Sequence, residues 1–326
     1  MDFVVLGCLC IDNVVNSDGV KRLRQFGGNC AYGAAGMHLW ESGSIGIVSR
    51  IGYDFPREWV KQLEGTGIDT EGIREVNKRH MMYSGMLYDA RGDRKELTFS
   101  EDPEADGDDV IVGFPVMTPE MVTQAHEDFA PLASDIPSRY DDADYIMIAS
   151  RHYDRQLAYA KYFRKANPDC HIVMDLGQDY LHPSWKERIV ELFSLVDIVV
   201  PSEDEVKRLM GRDFDDMELA ARLLCSEYGA NNACVKVGRD GSIVYEKDKD
   251  RITHVGICKV DAKDPTGAGD SFCGGFTVGL KETGSFVEAA KYGAVSSSFI
   301  IENFGVEESL KITRSQAVER LRTFGG

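Results

Sequence analysis

The sequence predicts an α/β protein in which a mainly parallel central sheet carries a small, separate β-sheet. Residues 2–8 form a near-continuous apolar run, which is typical of a strand buried on both faces. From residue 144 onward, β-prone runs alternate with helical runs, which predicts parallel strands covered by helices. Two β-hairpins, at 12–26 and 80–100, interrupt the N-terminal half. A hairpin between βα units does not easily join a parallel sheet, so we expect both to form a small sheet that projects as a lid.

The N-terminal half begins with the apolar strand and the first hairpin, whose turn is predicted at Asn16-Ser17-Asp18-Gly19. An Ala-rich stretch with helical spacing follows, and then a strand and a further helix. We predict these three elements at 29–42, 43–52 and 56–65. The second hairpin is expected to turn at 89–93.

The segment 101–143 is acidic, with six acids within residues 101–109, and it contains several prolines. It shows little periodicity, and like charges this close together repel each other and resist burial. We therefore predict an exposed or mobile loop near the lid, without a second catalytic site.

The C-terminal half is a regular alternation of elements within what we interpret as a single domain, 1–326. Helices are predicted at 155–167, 184–196, 203–210 and 217–229. The strands are predicted at 144–150, 171–176, 197–202, 233–238 and 242–247, with Arg239-Asp240-Gly241 joining the last two. Two helices, at about 268–281 and 285–302, are expected to close the chain.

The formal net charge of −17 argues against nucleic acid and anionic membrane as partners, because neither offers a counter-charge. No apolar run approaches the length of about 18 residues that a membrane span needs. The eight cysteines form no C-x-x-C pair, and Cys8 and Cys10 lie in an apolar run. We expect buried free thiols there, and hence a reduced, cytoplasmic protein. The N-terminus also lacks the basic region of a signal peptide.

The stretch DPTGAGDSFCGGF, residues 264–276, places Gly267, Ala268 and Gly269 directly before Asp270 and an apolar helix. Free N–H groups and the dipole at a helix N-terminus attract anions, and no side chain here is larger than methyl. Asp270 could accept a proton from a hydroxyl. A larger residue at Gly269 is expected to obstruct this site and strain the turn. On these residues alone, a glycine loop with an acidic N-cap and no chemistry remains the alternative.

This stretch resembles the C-terminal signature Asp-x-Thr-Gly-Ala-Gly-Asp of the ribokinase-like (PfkB) carbohydrate kinases. The resemblance implies a ribokinase-like three-layer α/β/α core with a β-sheet lid. It also implies that Gly267, Ala268 and Gly269 form an anion hole for the transferred phosphoryl group, and that Asp270 is the catalytic base.

Two N-terminal segments carry the resemblance into the lid region. GCLCIDNV resembles the family's first strand followed by a sugar-binding acid, which would be Asp12. FGGNCAYGAA resembles the Gly-Gly motif that opens the first helix, which makes Gly28 and Asn29 candidates for sugar binding. The alternatives are a turn-forming Asp12, a Gly28 that merely begins a helix, and an Asn29 that acts as its N-cap.

Two C-terminal segments resemble the family's nucleotide site. VPSEDE lies where the family has Asn-x-x-Glu, which implies a nucleotide role for Ser202 and a metal role, through water, for Glu205. VKVGRDG resembles a nucleotide-binding turn with Lys236, Gly238 and Gly241. The alternatives are a first-turn helix acid, a solvated lysine and an ordinary hairpin turn.

The sequence departs from the family pattern at two positions: Tyr32 and Ser202 both stand where many members carry Asn. Three further residues are candidates with weaker support. Asp175 follows a strand at the ligand edge, while Asp264 and Thr266 could support a monovalent cation. The seven histidines show no metal spacing and receive no role.

The expected function is an ATP-dependent kinase that uses Mg²⁺ to phosphorylate a hydroxyl, with a primary one favoured, on a sugar-like small molecule. A nucleoside kinase of the same fold and a non-catalytic sugar- or nucleotide-binding regulator remain the alternatives. Both faces of the strand at 81–88 are largely apolar, which a lid over a substrate does not require. We therefore expect a homodimer formed through the lid.

Overall fold

The computed structural model describes residues 1–89, 94–95, 98–100, 104–105, 107, 110–112 and 116–324. Its strands are β1 (Phe3–Leu6), β2 (Cys10–Val15), β3 (Lys21–Gly27), β4 (Ile45–Gly52), β5 (Asp69–Val76), β6 (Tyr83–Tyr88), β7 (Arg94–Lys95), β8 (Thr98–Ser100), β9 (Val110–Val112), β10 (Tyr145–Ile148), β11 (His171–Met174), β12 (Ile198–Val199), β13 (Asn232–Lys236), β14 (Ser242–Glu246) and β15 (Arg251–Val255). Its helices are α1 (Asn29–His38), α2 (Arg57–Gly65), α3 (Pro119–Phe129), α4 (Tyr153–Ala166), α5 (Lys186–Phe193), α6 (Glu203–Met210), α7 (Met217–Ser226), α8 (Ala268–Thr283), α9 (Phe286–Ile301) and α10 (Arg314–Arg322).

The described strands form a large sheet in the order β15-β14-β13-β12-β11-β10-β1-β4-β5. Pairing is parallel from β5 to β13 and antiparallel over the last three strands, so the predicted mainly parallel sheet is confirmed. Successive residues of β1 pack on opposite faces of the sheet. Val4 packs in the same apolar cluster as Phe163, and Val5 packs in the same apolar cluster as Phe276. Helices therefore cover both faces of the sheet, as the continuous apolar strands require.

The predicted small separate sheet is also confirmed, with the strand order β3-β2-β6-β7. Each hairpin is antiparallel, and the two hairpins join through parallel pairing of β2 with β6. This pairing sets Asp12 opposite Ser84. Most of the turn predicted at 89–93 lies outside the described residues.

The loop prediction for 101–143 is wrong over α3, while most of the six acids at 101–109 lie outside the described residues. Thr118 caps this helix by accepting a hydrogen bond from the N–H of Met121, and a proline occupies its first turn. Its buried Ala125 and Phe129 pack in one cluster with Cys8. A face of so few apolar residues gives a weak periodic signal, which explains the wrong prediction.

Further elements were also not predicted, among them strand β5 and helix α10. Strand β5 forms the edge of the large sheet, and its largely polar sequence lacks the alternation of a half-buried strand. Helix α10 follows α9, so the expectation that two helices close the chain is wrong. Its start carries a capping box of Thr313 and Gln316, a signal that the sequence did contain.

Helices α1 and α8 cross in close contact through small residues. A Cβ atom at Gly36 would overlap the backbone of Ser271, and one at Gly274 would overlap the carbonyl of Gly33. Because the helices approach this closely, the side chain of Tyr32 on α1 comes to lie against Gly267 at the start of α8. The fold thereby joins the two glycine-rich segments of the sequence in one place.

Candidate active site

Helix α8 begins at Ala268, directly after Gly267, as the glycine-acid stretch predicts. Gly267 is the N-cap and has a φ of +76°, in the left-handed region that favours glycine. The N–H of Ala268 donates to the carbonyl of Pro265 (3.2 Å), so it contributes less to an anion site than expected. The N–H groups of Gly269 and Asp270 donate to no backbone carbonyl in the described part of the chain. These two amides are free to receive an anion.

The strain predicted at Gly269 lies instead at Gly267. Gly269 is within the helix, and a Cβ atom there would meet only the Lys236 side chain, with 3.3 Å to its Nζ. A Cβ atom at Gly267 would overlap the ring of Tyr32, which is fully buried. The turn therefore depends on glycine at position 267, whereas position 269 depends on small size.

We expect Gly267→Ala to lower the free energy of unfolding by about 2 kcal/mol or more, because the substitution adds both a left-handed alanine and a clash with a packed ring. Gly269→Ala is the matched control, and it should leave stability within about 0.5 kcal/mol of wild type. Chemical denaturation of both variants measures the difference. Equal losses in the two variants would contradict the assignment of the strained position.

Asp270 lies half-buried in the first turn of α8. Burial, reinforced by the charge of Asp175, raises the pKa of Asp270 to about 7, although Lys236 and Arg151 act in the opposite direction. A carboxyl group with this pKa exchanges its proton near neutral pH, as a general base requires. The N-cap alternative does not describe it, because Gly267 holds that position and makes no side-chain cap.

Lys236 is largely buried, with 12% of its side chain exposed, which removes the alternative of a solvated lysine. Its Nζ donates to Oδ1 of Asp175 at 2.9 Å and lies 3.8 Å from Sγ of Cys273. Burial by itself disfavours the ammonium, but the charge of Asp175 and its other partners outweigh burial, so the pKa of Lys236 is raised. This cation stands beside Gly269, at the free amides of α8.

Ser202 and Glu205 form a capping box at the start of α6. The carboxylate of Glu205 accepts from the N–H of Ser202 (2.7 Å), and the Ser202 hydroxyl accepts from the N–H of Glu205 (3.3 Å). Glu205 is buried, and burial, followed by the charge of Asp175, raises its pKa. A bridge between Ser202 and Lys236 places the box beside the lysine. Glu205 therefore does act as a first-turn helix acid, through one of its two carboxylate oxygens.

The turn between β13 and β14 contains Gly238 and Gly241, as predicted for a hairpin. A side chain at Gly238 would meet no atom within 4 Å, so the backbone of this turn is open to a ligand. The turn follows Lys236 directly, on the same edge of the sheet as Asp175.

Asp12 is buried between the lid and α1. Tyr32 donates its hydroxyl to Oδ2 of Asp12 at 3.0 Å, and Ser84 donates to Oδ1. A Cβ atom at Gly27 would overlap this carboxylate, so the backbone of β3 also approaches it closely. Asp12 is thus held by the side chains of Tyr32 and Ser84, with the backbone of β3 close to its carboxylate.

Gly28 is the N-cap of α1, with a φ of +100°, and Asn29 is the first helical residue. The alternative in which Asn29 acts as the N-cap is therefore wrong. Its Oδ1 accepts from the N–H of Cys8 and its Nδ2 donates to the carbonyl of Ser150, both at 2.8 Å. These bonds make Asn29 a link between the ends of β1 and β10. One N–H of its Nδ2 and one lone pair of its Oδ1 are not used by these two bonds.

The predicted residues thus fall into two groups along the sheet edge, one around Asp12 and one around Lys236, with Asp270 between them in the electrostatic field of both. In the sequence, Tyr32 stood out only as a departure from the family pattern, and Ser84 and Arg151 were not predicted. Tyr32 could have been found from its place after the glycine pair, whereas Ser84 required the β2–β6 register.

Eight free cysteines are present, of which Cys8 is buried and Cys10 half-buried. In the part of the chain that the structure describes, no three side chains of His, Cys, Asp or Glu come together as a metal cluster. Within those same residues, no helix is both long and apolar enough to cross a membrane.

Comparison with known proteins decides the family. Residues 140–313, more than half of the chain, match the family model described as pfkB family carbohydrate kinase. The chain belongs to this family. The resemblance carried by the glycine-acid stretch is thereby confirmed, and the matched region contains Asp175, Lys236 and Asp270.

Relatives of this PfkB-family chain are similar over almost its whole length. The cytidine kinase of Thermococcus kodakarensis is 27% identical over 307 residues, which cover 94% of this chain and 98% of that protein. A Burkholderia thailandensis nucleoside kinase, solved in complex with inosine, aligns with a TM-score of 0.72, 15% identity and 99% coverage of both chains. Arabidopsis thaliana ribokinase, solved with ribose and ATP, aligns with a TM-score of 0.69, 20% identity and 98% coverage of both. The fold is ribokinase-like, and the chain is a phosphotransferase that acts on an alcohol group.

Proposed function

We propose that this PfkB-family protein transfers the γ-phosphoryl group of ATP to a hydroxyl, with a primary one favoured, of a sugar or sugar-like small molecule. One observation carries the proposal. Asp270, with a pKa of about 7, stands at a helix start whose free amides lie beside the largely buried cation of Lys236. A base, an anion site and a positive charge are what phosphoryl transfer asks of a protein.

In this proposal Asp270 accepts the proton of the attacking hydroxyl as the new P–O bond forms and the bond from the γ-phosphorus to ADP breaks, so that ADP leaves. The amides of Gly269 and Asp270 donate to the transferring phosphoryl group, while Gly267 and Ala268 shape the turn that presents them. Lys236 offsets the negative charge of the phosphates. Positioning and electrostatics of this kind, rather than covalent chemistry, account for most of the catalysis in phosphoryl transfer.

The donor side is assigned to the turn with Gly238 and Gly241, and to Ser202 and Glu205 at the start of α6. A magnesium ion bound mainly by ATP phosphates and water fits these residues, since Mg²⁺ seldom uses an all-protein cage. The second oxygen of Glu205 would hold one of those waters. When bound, Mg²⁺–ATP supplies the phosphoryl group and neutralises part of its charge.

A monovalent cation fits near Asp264. This buried carboxylate uses Oδ1 to accept from the N–H of Thr266 (2.9 Å), whereas its Oδ2 has no hydrogen-bond partner within the described residues. Burial raises the pKa of Asp264 to about 6. A bound cation would satisfy the free oxygen and keep the carboxyl ionised.

The acceptor site is assigned to Asp12, Gly28 and Asn29, with Tyr32 and Ser84 as positioning residues. A nucleoside is the second candidate acceptor, favoured by the full-length similarity to the cytidine kinase. A regulator without catalysis is disfavoured because the Asp270 site is complete. We place the protein in the cytoplasm because its cysteines are free thiols. We also propose a homodimer formed through the lid, since β6 buries Met86 and Tyr88 but leaves Tyr83 and Leu87 half-exposed on its other face.

Acceptor-dependent release of ADP tests the proposed function. Purified protein with Mg²⁺–ATP should form ADP faster when an acceptor from a panel of sugars, sugar derivatives and nucleosides is added. A protein that binds members of the panel without any acceptor-dependent ADP formation would be a regulator, and the proposal would be wrong.

Asp12→Ala separates the acceptor side from the donor side. A carboxylate accepts hydrogen bonds only, so its loss removes partners of the acceptor hydroxyls and leaves the ATP site untouched. We expect KM for the acceptor to rise at least tenfold and KM for ATP to stay within about twofold. Equal increases in the two constants would place Asp12 outside the acceptor site.

A further inference from the structure

Arg151 is a buried cation that has no hydrogen-bond or ion-pair partner for its guanidinium within the described part of the chain. It follows β10 at the carboxyl edge of the sheet, and only 8% of the residue is exposed. Its Nε is buried without a hydrogen bond, and across the residues that the structure describes its guanidinium forms no ion pair. A buried charge in this state destabilises a protein unless a ligand compensates it.

Other partly buried arginines of this chain are paired. Arg50 binds Asp135 and Arg164 binds Asp197, both at 2.6 Å, and Arg320 binds Glu302 at 2.7 Å. The formal net charge is −17, so carboxylates are abundant. The missing partner of Arg151 is therefore a local property of its site.

The backbone around Arg151 is held firmly. Asn29 donates to the carbonyl of Ser150, and Gly177 packs so closely that a Cβ atom there would overlap the carbonyl of Arg151. Gln156 ties this loop to the next strand by donating to the carbonyls of Ala149 (3.0 Å) and Asp175 (2.6 Å). The position of the guanidinium is thus set by the contacts of the loop backbone and not by hydrogen bonds of the guanidinium itself.

The surroundings of the guanidinium belong to the acceptor side of the site. Its charge acts on Asp270 and on Cys10, and Cys10 is also within reach of the charge of Asp12. Burial raises the pKa of the thiols of Cys8 and Cys10, so they stay neutral and give no counter-charge. Arg151 directly follows Ser150, whose carbonyl accepts from Asn29 of the proposed acceptor site, so it lies on the acceptor side of Asp270.

The carboxylate of the neighbouring loop is already engaged. Asp179 lies 3.2 Å from Nδ1 of His152 and accepts from the N–H of Tyr153 at the same distance. His126, which packs against His152, adds a neutral imidazole rather than an acidic group, because burial lowers its pKa to about 4. Among the described residues, therefore, no carboxylate pairs with Arg151, although its charge acts on Asp270, and a direct anionic partner is left to a ligand.

We propose that Arg151 binds an anionic group of the acceptor, a carboxylate or a phosphate, so that the natural acceptor is an acidic sugar derivative rather than a neutral sugar or nucleoside. The planar fork of a guanidinium matches either anion with two parallel hydrogen bonds. This inference rests on the proposed kinase function and narrows its substrate class.

The first test is the thermal stability of the protein without ligand. Arg151→Met removes an unpaired buried charge and keeps the apolar stem, so we expect Tm to rise by a few degrees. Arg155→Met is the matched control, because Arg155 forms a surface pair with Glu127 (3.4 Å) and should change Tm little. A Tm lowered by several degrees in Arg151→Met would show a structural role and overturn the proposal.

The second test compares acceptors with and without an anionic group: D-gluconate with D-glucitol, and D-fructose 6-phosphate with D-fructose, with cytidine and inosine as neutral nucleosides. One acid should exceed its neutral partner at least tenfold in kcat/KM, and the pair that does so identifies the anion as carboxylate or phosphate. Measured above about pH 8, where Asp270 is ionised, Arg151→Met should lower that value about a hundredfold, change kcat/KM for neutral acceptors little and leave KM for ATP unaltered. Preference for a neutral acceptor, unaffected by Arg151→Met, would overturn the proposal.

Binding separates this inference from the proposed function. If no acceptor supports ADP formation, the kinase proposal fails, but the same acids without ATP should still raise Tm of wild type and not of Arg151→Met. The absence of that difference would reject the anion site independently of catalysis.

Discussion

Asp270→Asn is expected to lower kcat by about 10²- to 10⁴-fold, the range that a lost general base typically costs. Asparagine keeps the size and the hydrogen-bonding capacity of the side chain, but it cannot accept the proton of the attacking hydroxyl. Binding of ATP should persist or improve slightly, because a negative charge near the γ-phosphate is removed. Steady-state kinetics at saturating ATP and acceptor measure the loss.

Stability serves as the control for this variant. The pKa of Asp270 is raised from 3.8 to about 7 in the folded protein, so ionisation of this group opposes folding. Below about pH 4 the group is protonated in both states and has no effect, whereas above about pH 7 its full cost is present. Asp270→Asn should therefore match wild type in Tm at pH 4 and exceed it increasingly toward pH 7. A low kcat combined with a reduced Tm at pH 7 would indicate misfolding instead.

Lys236→Met is expected to lower the free energy of unfolding by roughly 3 kcal/mol and to raise KM for ATP at least tenfold. The stability loss arises because Asp175 and Glu205, both buried, lose the cation that compensates them. Breaking a buried ion pair on one side typically costs about 3–5 kcal/mol. The rise in KM follows from the position of Nζ beside Gly269, where phosphate is proposed to bind.

The double variant Lys236→Met with Asp175→Asn separates these two effects. Removing both charges of the pair should restore most of the stability, since no unpaired carboxylate remains at position 175. Activity should stay low, because the phosphate partner is still missing. Wild-type stability in Lys236→Met alone would mean that the lysine is solvated in solution and not part of the site.

The sequence predicted those features of the fold that depend on local pattern. The buried strand β1, the two hairpins and the start of α8 all follow from apolar runs or turn residues within about 15 positions. Strand β5 and helix α3 were not predicted because contacts distant in sequence stabilise them. Strand β5 pairs with β4, and helix α3 packs against Cys8. Local propensity is weak where tertiary packing decides.

The candidate site divides in the same way. Asp270 and its glycines could be named from one stretch, because an anion site at a helix start is a local structure. The hydrogen bond from Tyr32 to Asp12 depends on the crossing of α1 and α8, which brings residues from separate segments together. That Arg151 forms no ion pair with the described residues could not be predicted, because a sequence shows which carboxylates exist but not how far they lie from a given arginine.

The central claim is that Asp270 acts as the base of an acceptor-dependent kinase, and the pH dependence of kcat/KM tests it most directly. In the free enzyme Asp270 has a pKa of about 7 and must be ionised to accept a proton. The wild-type value should therefore be flat above about pH 8 and fall tenfold per pH unit below about pH 6. Asp270→Asn should retain a small activity that lacks this limb. The same acidic limb in both proteins would assign the titration to another group and contradict the role of Asp270.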